Sequence, residues 1–101
     1  MDSDASLLST AIVVWTGWGK RPWPSRDQAL LIDRFGASAA EILLPQIRRL
    51  EQEFYASDAR YFAADLVSMG EAAGAEFRRN HPEISEEAIE ALAWCYTYDY
   101  K

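Results

Sequence analysis

The sequence predicts an all-α fold, a compact single-domain bundle of four to five helices, on three observations. Apolar residues recur at steps of three and four along most of the chain, the spacing of one helix face. Residues that start and stop helices punctuate these stretches at short intervals. The 101 residues, half of them apolar, suffice for one hydrophobic core, so residues 1–101 read as one helical domain.

The first segment, 4–15, reads as a helix with Leu8, Ala11, Ile12 and Trp15 on one stripe, a strand being the alternative because its Ile12-Val13-Val14 run is β-branched. Residues 16–24 read as a loop broken by Gly17, Gly19, Pro22 and Pro24. Ser25, with Gln28 three residues on, has the form of a capping box for a second helix carrying Leu30, Leu31, Arg34 and Phe35. Gly36 stands where a left-handed C-terminal residue is wanted. Ser38 and Glu41 repeat the box ahead of Leu43, Ile47, Leu50 and Phe54, a clean stripe. Pro45 lacks an amide hydrogen and clashes with the preceding turn, so this third helix should kink near Leu44 or restart at Pro45.

Asp58 is the expected cap of a fourth helix. Its face, Phe62, Leu66, Met69, Ala73 and Phe77, should run unbroken to about Arg79. Arg78 and Arg79 favour the negative end of its dipole, and Asn80-His81-Pro82 ends it. Ser85 caps the last helix with Glu86 and Glu87 in its first turn, while Ile84 and Ile89 have the spacing of a hydrophobic staple. Gly70 and Gly74 interrupt the fourth helix one turn apart. Each costs about 1 kcal/mol relative to alanine, so another helix is expected to cross closely over them.

Charge excludes more than it assigns. Sixteen acids against ten bases leave a net charge of -6, which opposes general nucleic-acid binding, where a surplus of Lys and Arg must displace counterions from phosphate. The balance is uneven along the chain. Residues 18–49 hold six bases and three acids, whereas residues 50–101 hold eleven acids and four bases. No apolar run approaches the roughly 20 residues that span a bilayer. The acidic start, Met1 to Asp4, is unlike a secretory signal, and the single Cys95 suits a reducing compartment, so a cytoplasmic location is expected.

Catalysis and metal binding find little support. His81 is the sole histidine and sits in a helix break, where a capping role explains it better than a general base paired with Cys95. Cys95, between Trp94 and Tyr96, reads as a packed thiol with a raised pKa. Neither the Glu-x-x-His pairs of a di-metal bundle nor the loop of a calcium hand occurs, and no phosphate-binding glycine motif is present. No cofactor, no metal and no enzymatic activity are expected.

Two stretches have the composition of binding surfaces. The segment 15–26 places three tryptophans and three cations within twelve residues. Its indoles serve either as a lid on the bundle or as a contact surface through Trp18 and Trp23. On the last helix Ile89, Leu92, Ala93, Tyr96 and Tyr100 share one face, while Glu87, Glu90, Trp94 and Tyr98 fall together on another, beside Glu83 and Glu86. Acids joined to large aromatics suit a basic protein groove, with charge for steering and rings for anchorage. The expected function is therefore a small acidic binding module that neutralises a basic partner, such as a toxin or nuclease domain, in the manner of an immunity or antitoxin protein. A homo-oligomeric adaptor is the first alternative. A small-molecule or nucleic-acid binder using Trp18, Trp23, Lys20 and Arg21 is the second.

Overall fold

A computed structural model describes residues 4–101; the acidic start, Met1 to Ser3, lies outside the described residues. The described chain is all-helical. In order it forms α1 (Asp4–Thr16), α2 (Gln28–Phe35), α3 (Ala37–Tyr55), the single turn α4 (Ala59–Phe62), α5 (Leu66–Asn80) and α6 (Glu86–Asp99). Helix α6 is central, packing against α1, α3 and α5, while α2 lies across α1 and α3. This position explains its composition. Ala88, Ile89, Ala91, Leu92, Cys95 and Tyr96 are all buried, spread over more of its circumference than one stripe covers. Only a narrow strip of α6 is left for solvent.

One apolar cluster joins the elements. Ala11, Ile12 and Trp15 of α1 meet Leu31 of α2, the α3 stripe Leu43, Ile47, Leu50 and Phe54, and Met69, Ala73 and Phe77 of α5. The β-branched run of α1 is helical, with Ile12 fully buried. Ile84 and Ile89, the staple pair, are both buried, and Ser85 caps α6 by accepting from the Ala88 amide at 3.1 Å.

Several local expectations are corrected. Asp27, not Ser25, caps α2, accepting from the Ala29 amide at 2.9 Å. The Ser25 hydroxyl is already engaged, donating to the carbonyls of Trp15 and Thr16 that α1 leaves open at its end. Gly36, at φ +91° and ψ 160°, is outside the left-handed helical region, in a conformation that only glycine adopts readily. It closes α2 by donating to Ile32 and opens α3 by accepting from Ala40, which leaves the Ser38–Glu41 box no helix start to cap. Helix α3 then runs through Pro45 without a restart. Pro45 lies on the exposed side, where solvent can satisfy the carbonyl it leaves free, and Gln46 donates to the Ile42 carbonyl at 3.0 Å.

The fourth helix is broken in two, and this has the largest consequence. Asp58 makes no side-chain cap bond. The Arg60 guanidinium reaches back to the carbonyls of Tyr55 and Ser57, and Asp65 starts α5 afresh by accepting from the Ser68 amide at 2.8 Å. Phe62 and Leu66 therefore do not share a buried face; they are 72% and 44% exposed. The two glycines of α5 behave as expected. A Cβ on Gly70 would stand 3.1 Å from Thr97 Cγ2, and one on Gly74 would stand 3.4 Å from Ile89 Cγ2, so α6 crosses at close range.

Candidate functional site

The solvent strip of α6 carries Glu87, Glu90, Trp94 and Tyr98 in sequence along one edge. Both glutamates are exposed, Trp94 is half-buried and Tyr98 is 40% exposed. Trp94 is held by a residue from the far end of the chain. Its ring lies 5.3 Å from that of Trp18, tilted at 55°, so the loop after α1 rests on α6 through an indole pair. Such contacts add roughly 0.5–1.5 kcal/mol beyond burial.

Beside this pair the α5–α6 crossing opens into a groove of about 570 Å³. The small residues Gly70, Gly74 and Ala93 line it together with the Trp18–Trp94 pair and with Leu66 and Val67. Val67 is 70% exposed. The break before Asp65 is what turns Leu66 and Val67 outward. Periodicity assigns Leu66 to the core and so misses this lining; the Asp65–Ser68 spacing, a second capping signal, is the local clue to it. Glu71 and Glu90 also line the groove, together with Arg78.

The four glutamates of the α6 region separate by partner. Glu86 is bound to Arg78 through two hydrogen bonds of 2.6 and 2.7 Å, which lowers its pKa and raises that of Arg78. Glu83 stands 3.4 Å from His81 Nδ1, while His81 Nε2 meets Glu53 at 2.7 Å. Among the described residues, Glu87 and Glu90 have no ion-pair partner. Among the described residues Arg78 is the cation that lines the groove, and its pairing with Glu86 leaves the groove acidic through Glu71 and Glu90.

The three tryptophans of the loop segment divide as well. Trp15 is core at 3% exposure, Trp18 is half-buried on Trp94, and Trp23 is 58% exposed between two prolines. A second cleft of about 780 Å³ opens on the α1–α2 side of Trp18, among Lys20, Arg21, Arg34, Asp33 and Glu87.

His81 and Cys95 are not brought together as a catalytic pair. His81 caps α5, donating its amide to Phe77, and its ring nitrogens face Glu53 and Glu83. Cys95 is fully buried, and desolvation pushes its pKa up to about 12. Among the described residues, no three His, Cys, Asp or Glu side chains are grouped to hold a metal ion, and no helix is long and apolar enough to cross a membrane. No protein-family model, curated protein or solved structure matches the chain.

Proposed function

We propose that this chain is a small cytoplasmic binding module that occludes a basic partner protein, in the manner of an immunity or antitoxin protein. The α5–α6 groove is the observation that carries the proposal. It joins exposed apolar side chains, Leu66 and Val67, to the Trp18–Trp94 pair, with Glu71 and Glu90 beside them. Apolar and aromatic surface supplies anchorage, while carboxylates that lack an internal partner steer and select a cationic one. The occupant is a segment of the partner that bears an apolar side chain for the groove and Lys or Arg for Glu90 and Glu87.

The test uses as candidate partners a panel of basic nuclease-domain proteins of the toxin class. Association is measured at low and at physiological salt, with Glu87→Lys/Glu90→Lys and with Val67→Asp. Charge reversal should slow association by about tenfold or more and flatten its salt dependence. Val67→Asp should speed dissociation. Unchanged kinetics in both variants would overturn the proposal, as would a panel of which no member binds. Sedimentation of the chain alone separates it from the adaptor alternative, which requires a mass that rises with concentration.

A further inference from the structure

The second cleft shares Trp18 and Glu87 with the proposed protein-binding surface but opens toward α1 and α2, where cations outnumber acids. Lys20, Arg21 and Arg34 line it together with Asp33 and Glu87. In a chain whose acids outnumber its bases by sixteen to ten, none of these three cations forms an ion pair among the described residues. Arg34 instead rests near the Phe35 ring, at 5.7 Å. Arg21 is positioned by the backbone. Its amide and that of Lys20 both donate to the Gly17 carbonyl at 3.0 Å, and its stem crosses Gly17 so closely that a Cβ there would stand 3.0 Å from Arg21 Cγ. Gly17 has φ +81°, so the turn and the close approach both require glycine. Ser25 ties the far end of the loop to the end of α1.

Beside Thr10 and the loop glycines Gly17 and Gly19, the remaining lining is apolar and aromatic: Val13, Val14 and Leu30 from α1 and α2, and the Trp18 indole. A volume of about 780 Å³ falls in the range of small-molecule sites. We propose that this cleft binds a nucleoside phosphate. The planar base stacks on Trp18, the three cations hold the phosphate, and Asp33 and Glu87 accept hydrogen bonds from the sugar hydroxyls. The charged and aromatic lining groups then each meet a chemical complement: an indole face for a ring, guanidinium and ammonium for an anion, carboxylates for donors. The same chemistry comes either as a free mononucleotide or as the phosphorylated end of an oligonucleotide.

The test titrates the full chain with adenosine monophosphate, following indole fluorescence and calorimetric heat, beside adenosine, inorganic phosphate and a short 5′-phosphorylated oligonucleotide. The expected result is saturable binding of the monophosphate below about 1 mM. Adenosine and inorganic phosphate should each bind at least about tenfold more weakly, the loss of one charge-assisted or stacking contact. Lys20→Ala/Arg34→Ala changes two exposed side chains and should weaken binding by a similar factor while the thermal midpoint holds. Arg49→Ala, on α3, should bind like the wild type. A preference for the oligonucleotide over the monophosphate assigns the nucleic-acid source; the reverse assigns the free nucleotide. No saturable binding of either, equal binding by the Lys20/Arg34 variant, or phosphate alone binding as tightly would overturn the proposal.

Discussion

Arg26 donates two hydrogen bonds, of 2.6 and 3.0 Å, to the carboxylate of Asp99, tying the loop before α2 to the last residue of α6. Tyr55 of α3 donates to the same carboxylate at 2.5 Å, and Glu51 lies 3.7 Å from Arg26. Three distant segments thus meet at one guanidinium. Arg26 adopts φ +46°, an unfavourable conformation for a side-chain-bearing residue, and this contact set is what holds it there.

Removing the carboxylate charge should loosen that junction. Asp99→Asn is expected to cost about 1–2 kcal/mol in urea unfolding, discounted for the solvent that reaches both side chains. Burial alone would raise the Asp99 pKa, but the bonds from Arg26 and Tyr55, with the Arg26 charge, bring it below its ordinary value. Its stabilisation is therefore present above the ordinary carboxylate pKa and is lost as pH falls through the lowered one. Glu51 opposes this. Desolvation raises its pKa against the pull of Arg26, so its contribution is present at low pH and fades as pH rises through the raised value. Stability measured below about pH 4 should fall less steeply in Asp99→Asn than in the wild type.

The two α5 glycines should respond differently to alanine. Gly74→Ala places its methyl at ordinary contact distance from Ile89 and should stabilise by roughly 0.5–1 kcal/mol through helix propensity. Gly70→Ala must displace Thr97 Cγ2 and should gain nothing. Adding Thr97→Ser removes that methyl while keeping the hydroxyl that bonds the Trp94 carbonyl, and should recover the gain. Thermal melts of the three variants decide it.

Tyr96 is the largest fully buried side chain, and its hydroxyl serves two backbone groups, donating to Ser57 and accepting from the Arg60 amide. Tyr96→Phe leaves that amide without its partner and should cost about 1–3 kcal/mol. The loss should concentrate in α4, where hydrogen exchange of residues 59–62 should accelerate more than exchange in α3.

Cys95 should be silent to thiol reagents in the folded protein. It is completely buried and, with its pKa pushed up to about 12, carries almost no thiolate at neutral pH. Labelling by a thiol-specific reagent should track the unfolding curve in denaturant. Rapid labelling under native conditions would contradict the packing.

Helix-forming stretches, the α3 stripe and the Ser85 cap are legible in the sequence because they follow from local periodicity and short-range hydrogen bonding, over the span of a few turns. That Glu87, Glu90, Trp94 and Tyr98 share one face of α6 is legible for the same reason, but not that Trp18 half-covers Trp94. Other features depend on partners far away in the chain. Ser25 has the spacing of a cap, but carbonyls at the end of α1 claim its hydroxyl, and Asp27 takes the role. The Phe62–Leu66 step has helical spacing, but Arg60 and Asp65 break it and turn Leu66 and Val67 to solvent. Glu86 and Glu90 look equivalent in sequence until Arg78 engages one of them. Trp18 could lie over any face of the bundle until it meets Trp94, and that meeting sets the groove on one side and the basic cleft on the other. Local spacing specifies which faces exist; long-range competition for the same polar groups and the same apolar contacts specifies which of them remain available to a partner.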